Sequence, residues 1–281
     1  NGAFGIAMNP KTGAIYGMAS SPDFDPNNYS VIVSDLLKQQ IDGNADAIYE
    51  KLKSSNEENL TEAELREKAK NQAYSDAVNT QWRSKVLDSR YQPGSTFKAL
   101  VLAAALEEGV VKESDTFYCS GSYMIPGWGK PIHCSKRTGH GTQTLSQAVE
   151  NSCNPAFMQI GQRLGLNTFY DYFEAFGMTE QTGIELPGEA SLKGAHWNRG
   201  QMSNVDLAVA SFGQRFEVNP LQMIAGCSAV INGGKLIKPY VVQTVTTKDG
   251  TVVRNTEPTV VRQVVSEESS RRATAILENV V

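Results

Sequence analysis

Tyr91-Gln92-Pro93-Gly94-Ser95-Thr96-Phe97-Lys98 runs directly into Ala99-Leu100-Val101-Leu102-Ala103-Ala104-Ala105-Leu106. Pro93 and Gly94 break the preceding chain, so Ser95 is expected in the first turn of an apolar helix spanning about Ser95 to Glu108 and closed by Gly109 in the left-handed conformation. Residues three apart share a helix face and side chains lean toward the N-terminus, which brings Lys98 back to the Ser95 hydroxyl. Burial on such a helix disfavours an ammonium and lowers its pKa. A neutral lysine beside a serine is a general base beside a nucleophile. No other serine of the chain has lysine three positions later. The plainer reading, a capping serine and a lysine snorkelling to solvent, fits the bare tetrad equally well. The long apolar helix with one cation near its start favours the chemical one.

Bulk properties set the frame. Forty per cent hydrophobic and twenty per cent charged residues over 281 positions are globular values, enough for one large domain or two ordinary ones. A net charge of −4 without any long basic block argues against a nucleic-acid partner. No apolar run approaches the ~20 residues of a membrane-spanning helix. Asn1 to Met8 is strand-like and no signal peptide, so the start of the chain reads as a boundary within a longer protein.

Residues 3–8 and 14–19 flank Asn9-Pro10-Lys11-Thr12-Gly13 as a β-hairpin. From residue 31 to 89 the composition turns charged and helical, a solvated excursion. Residues 117–142 read as short strands and turns. A helix begins near Leu145, and Ser152-Cys153-Asn154-Pro155 interrupts or closes it. Helical stretches follow near 156–164, 169–176, 206–212 and 219–231, then a hairpin over 239–246 and 251–254. Ser266-Glu267-Glu268 opens a final helix running to Val281.

Four cysteines do not make a disulfide scaffold at this length. Cys119 and Cys134 flank a turn-rich segment, where they could face each other across a hairpin. A disulfide, two free thiols, or a metal site with His133 and His140 are all open. The spacing fits no paired Cys-x-x-Cys pattern, and neither metal nor organic cofactor is assigned.

A second box, Ser152-x-Asn154, lies 57 residues beyond Ser95. Its hydroxyl can relay a proton between a lysine and a leaving amine, and its carboxamide can hold a peptide bond by donating and accepting together. Ser54-Ser55-Asn56 matches the same pattern but sits in the charged excursion, where it carries no chemistry.

Ser-x-x-Lys followed by Ser-x-Asn is part of the signature of penicillin-binding proteins and serine β-lactamases. The flanking text resembles the class B penicillin-binding transpeptidases over nearly the whole chain, apart from residues 31–80. The similar stretches are Met8-Asn9-Pro10-Lys11-Thr12-Gly13, Ser21-Pro22-Asp23-Phe24-Asp25-Pro26-Asn27, the Ser95 box, Ser211-Phe212-Gly213-Gln214 and Asn232-Gly233-Gly234. The branch most similar is the cell-division and sporulation-specific one, of the stage V sporulation protein D type. The resemblance implies an α/β (α+β) transpeptidase fold, an antiparallel sheet flanked by helices plus an all-α lobe, over a single domain at 1–281.

It further implies a serine-type D-Ala-D-Ala transpeptidase that is also a penicillin target. Ser95 would be the nucleophile, Lys98 the base and Ser152 the proton relay. Asn154, Gly213 and Gln214 would bind substrate. Expected partners are peptidoglycan stem peptides, β-lactam antibiotics, a membrane glycosyltransferase and the division or sporulation machinery. The expected place is the extracytoplasmic face of the bacterial cytoplasmic membrane, with an anchor upstream. A class D-like β-lactamase or β-lactam sensor shares the Ser-Thr-Phe-Lys text, and a mainly scaffolding role is the alternative from another class.

One box departs from the pattern. The family's Lys-Thr/Ser-Gly strand belongs after the final helix, whereas the only Lys-Thr-Gly here is Lys11-Thr12-Gly13 in the first hairpin turn. That tripeptide reads as an ordinary β-turn. The expectation is therefore a C-terminally incomplete domain, with two strands of the central sheet and one face of the Ser95 helix uncovered.

Overall fold

The computed structural model describes residues 2–55 and 59–280. Asn56 of the second Ser-x-Asn match, Glu57-Glu58 of the charged run and Val281 of the final helix lie outside them. Two compact units divide the chain, one of residues 1–6 and 18–88, the other of residues 7–17 and 89–281.

The smaller unit is dominated by α1 (Asp35–Ser54) and α2 (Glu62–Trp82), followed by the short α3 (Lys85–Asp88). A capping box starts α2: Thr61 Oγ1 accepts from Glu64 N, and the Glu64 carboxylate accepts from Thr61 N. Leu65, Ala69, Ala73 and Ala77 recur every fourth residue, forming one buried stripe on an otherwise charged helix. Small satellite cores form where Tyr49 meets Leu65 and Ala69 and where Ile32 meets Ala77 and Val78. Gln81 holds the entering chain by accepting from Val33 N at 2.7 Å and donating to Val31 O at 2.9 Å.

Strands β1 (Ala3–Met8) and β2 (Ile15–Ser21) form the expected hairpin, the only strands of their sheet among the described residues. Lys11-Thr12-Gly13 is its turn, with Gly13 at φ +80°. A Cβ there would lie 2.4 Å from Lys238 O, and Tyr240 N donates to Gly13 O at 3.0 Å. The turn is thus fixed by backbone packing rather than by chemistry of its lysine.

In the larger unit everything is arranged around α4 (Lys98–Glu107). Leu100 to Leu106 are all at most 2% exposed. The expected uncovered face is absent, because α6 (Asn154–Leu164), α7 (Leu166–Ala175), α9 (Pro220–Ile231) and α10 (Glu267–Leu277) all pack on α4. At the far end of α4, Glu107 accepts from both Ser266 N and Ser266 Oγ, the N-cap of α10. Exposed apolar side chains are scattered instead, Phe4 and Tyr16 on the β1–β2 hairpin and Tyr118, Val252 and Val253 elsewhere. Burying four large aliphatic side chains on α4 contributes roughly 1.5–3 kcal/mol each.

Between α4 and α6 the chain forms β3 (Thr116–Cys119), β4 (Ser122–Tyr123), β5 (Ile132–His133), β6 (Gly141–Thr144) and α5 (Leu145–Glu150). β3 pairs antiparallel with β6, and β4 with β5. Later elements are α8 (Asn204–Ala210), β7 (Lys235–Ile237), the hairpin of β8 (Thr244–Thr246) and β9 (Val252–Asn255), and β10 (Val260–Gln263), which pairs antiparallel with β7. No helix among the described residues is long and apolar enough to cross a membrane.

Candidate active site

The nucleophile turn is tighter than the sequence implied. Gly94–Phe97 form a 3₁₀ turn and the α-helix proper starts at Lys98. Tyr91 and Val218 exchange backbone hydrogen bonds at 3.0 Å, which fixes the approach to the turn. Gly94, at φ +58°, donates to Gly213 O at 2.8 Å. A Cβ on Gly213 would fall 2.0 Å from Gly94 O, so the two glycine backbones are pressed together directly before the serine. Gly213 is accordingly buried behind the turn, while Gln214 beside it is exposed.

Ser95 is exposed and Lys98, one turn deeper, is 4% exposed. From there the ammonium nitrogen reaches four oxygens. Lys98 Nζ donates to Ser95 Oγ at 3.1 Å, Ser152 Oγ at 2.8 Å, Ser152 O at 2.7 Å and Asn154 Oδ1 at 2.8 Å. All four candidate side chains from the two boxes therefore meet at one nitrogen. The Phe157 ring lies 5.3 Å from it. Burial lowers the Lys98 pKa to about 8, and the nearby Cys153 and Cys134 sulfurs oppose that shift.

The donor count shows what a neutral lysine would do here. Ser152 O and Asn154 Oδ1 can only accept, so they take two N–H bonds. A neutral amine has two, and its lone pair is then left facing the Ser95 and Ser152 hydroxyls. That geometry can take a proton from one hydroxyl and exchange one with the other.

Ser152 reaches this position through a helix ending. At the end of α5, Cys153 N donates to Ala148 O and Ser152 N to Val149 O, both at 2.9 Å. This pair of bonds is the Schellman pattern, whose left-handed residue is usually glycine. Here it is Ser152, at φ +47°. Cys153 is the N-cap of α6, and Asn154 and Pro155 are its first two residues. The expected break at Ser152-Cys153-Asn154-Pro155 is present, since α5 closes before it. Pro155 also helps start α6, because proline lacks only an N–H that the first turn leaves unpaired.

The sequence matches the family described as "Penicillin binding protein transpeptidase domain" over residues 3–281. The chain belongs to that family. Among similar proteins, stage V sporulation protein D of Bacillus subtilis is 36% identical over all of this chain and 36% of that protein. Peptidoglycan D,D-transpeptidase MrdA of Escherichia coli is 24% identical over 90% of this chain and 36% of its own length. The chain thus spans about a third of these relatives. The D,D-transpeptidase domain of a peptidoglycan glycosyltransferase from Eggerthella lenta superposes with a TM-score of 0.74, at 25% identity, over 100% of this chain and 61% of that one. The penicillin G acyl-enzyme complex of penicillin-binding protein A from M. tuberculosis gives 0.72 at 24% identity, over 98% of this chain and 56% of that one. The fold is that of penicillin-binding transpeptidase domains.

In this transpeptidase domain the cysteines depart from the expected layout. None of the four is joined in a disulfide. Cys119 faces Gly141 across β3–β6, and Cys134 follows β5, so the two do not face each other across one hairpin. Sequence spacing also missed Cys153, hidden between Ser152 and Asn154, and the backing role of Gly213. A glycine after an apolar helix was the available signal for the latter.

Proposed function

We propose that this chain carries the acylating centre of a peptidoglycan D,D-transpeptidase, with Ser95 as nucleophile. The contact of Lys98 Nζ with Ser95 Oγ, Ser152 Oγ and Asn154 Oδ1 is the observation that supports this reading. Ser95 Oγ attacks the carbonyl of the penultimate D-alanine of a stem peptide while neutral Lys98 takes its proton. The tetrahedral oxyanion forms beside the Ser95 N–H, a donor worth roughly 3 kcal/mol in comparable sites. The C–N bond then breaks, and the departing D-alanine amine receives the proton from Lys98 through the Ser152 hydroxyl. Asn154 and exposed Gln214 hold the substrate, and Gly213 keeps the nucleophile turn in shape. An amine of a neighbouring stem peptide attacks the ester, forms the cross-link and restores Ser95.

β-Lactams acylate the same oxygen and stay. The site of action is the outer face of the cytoplasmic membrane, where the substrate is, alongside a membrane glycosyltransferase and the division or sporulation machinery. Fluorescent penicillin tests the assignment on the full-length protein: wild type retains one label through denaturation and Ser95→Ala takes up none. Labelling that decays within minutes would make it a hydrolase. Unlabelled wild type, or full cellular complementation by Ser95→Ala, would leave a scaffold.

A further inference from the structure

Behind the Ser152–Asn154 turn lies a cluster that the acyl-transfer chemistry does not use. The sulfurs of Cys119, Cys134 and Cys153 and a ring nitrogen of His140 all lie within 4.8 Å of one another. Cys134 Sγ is 3.7 Å from His140 Nδ1. The four residues come from the end of β3, the residue after β5, the residue before β6 and the N-cap of α6. The three cysteines are at most 2% exposed.

Backbone packing makes the convergence tight. Cys134 N donates to Gly121 O at 2.9 Å and His140 N to Cys119 O at 3.1 Å. Gly121 and Gly139 are both at positive φ, and a Cβ on either would strike the opposing backbone at 1.9 and 2.3 Å. Two backbone segments therefore cross with no room for side chains, forming a knuckle that aims its thiols inward.

Hydrogen-bond donors face the sulfurs. Lys136 and Asn154 direct backbone N–H groups at the Cys134 sulfur, and Ala156 directs one at Cys153. Gln143, 3% exposed, holds a fully buried Nε2 with no conventional hydrogen-bond partner among the described residues. It lies beside the Cys153 sulfur, where a thiolate would accept from it. Three thiolates packed together are untenable without a cation, and a disulfide would use two sulfurs and leave the third and the imidazole unexplained.

We infer that Cys119, Cys134, His140 and Cys153 bind one structural zinc ion. Zn–S bonds of about 2.3 Å and Zn–N bonds of about 2.0–2.1 Å in a tetrahedron put neighbouring sulfurs about 3.8 Å apart and sulfur and nitrogen about 3.5 Å apart. The cluster reaches that spacing by contracting. Three sulfurs with one imidazole are a soft donor set that favours zinc over calcium or magnesium. Four protein ligands close the coordination sphere, so the ion is structural. Binding releases the thiol protons to solvent and involves no redox change. Because Cys153 sits between Ser152 and Asn154, the metal clamps the turn that carries both.

Metal analysis of the full-length protein purified from zinc-supplemented medium tests this directly. One zinc per chain is expected, with Cys119, Cys134 and Cys153 protected from a thiol reagent until a strong chelator is added. His140→Cys retains the metal and His140→Ala releases it at lower chelator concentration, whereas Cys227→Ser, outside the cluster, behaves as wild type. Wild-type protein that is folded and metal-free, whether its thiols are all reactive or two are joined as a disulfide, would overturn the assignment. The wild-type stoichiometry decides even if a ligand variant fails to fold.

Discussion

Two turns meet at Lys98, and they are built in opposite ways. The Ser95 turn follows general rules: glycine where φ is positive, then a tight turn leading into a helix buried on all sides. The Ser152 turn breaks one. Among the described residues four helices end with the same pair of backbone hydrogen bonds, and their left-handed residues are Gly109, Ser152, Gly177 and Gly213, at φ +63°, +47°, +81° and +81°. Only the residue touching Lys98 carries a side chain there. A non-glycine residue in this conformation costs about 1 kcal/mol relative to glycine. Ser152 is placed for its hydroxyl, at the expense of the helix ending that holds it.

The largest expected effect is on the nucleophile side. Lys98→Ala removes the proposed base but leaves the apolar helix intact, and should slow acylation of Ser95 by a β-lactam about 10³–10⁴-fold. Stopped-flow acylation kinetics check this. A loss below tenfold would mean that Lys98 only positions Ser95.

The second turn gives a smaller and more diagnostic pair. Ser152→Gly should slow acylation about 10²-fold while raising stability by about 0.5–1 kcal/mol, since glycine relieves the left-handed residue. Gly109→Ser makes the reverse exchange at the same place in α4 and should lower stability by about 1 kcal/mol with acylation unchanged. Denaturant titrations alongside the kinetics separate the two quantities. Equal stability loss at both sites would end the comparison.

The pH dependence comes next. Burial lowers the Lys98 pKa from 10.5 to about 8 by disfavouring the ammonium, and in the proposed mechanism the neutral form is the active one. Acylation should therefore rise about fivefold from pH 7 to 8 and about tenfold by pH 9, levelling off above. The limb should vanish in Lys98→Ala. A rate that falls as pH rises through 8 would assign the active form to the ammonium.

What the sequence made legible follows the same division. The Ser95 helix, its Gly109 ending and both hairpins were readable because each is specified by neighbouring residues. The Ser152 ending was not, since its usual marker, glycine, is absent. Pro155 did mark the break between α5 and α6, but not which residue takes the left-handed conformation. The cover over α4 was also hidden: α10 arrives some 160 residues later, and nothing local announces it. The Cys119–Cys134–His140–Cys153 cluster depends on one crossing, lined by Gly121 and Gly139, that brings separate segments together, which spacing rules for contiguous ligands do not detect.

The claim beneath all of this is that Lys98 activates Ser95. Incubating the full-length protein with benzylpenicillin, then measuring intact mass and mapping the modified peptide, tests it most directly. A single adduct of one penicillin is expected, located on the peptide containing Ser95 and strongly diminished in Lys98→Ala. An adduct on another residue, or equal labelling of Lys98→Ala and wild type at early times, would contradict it.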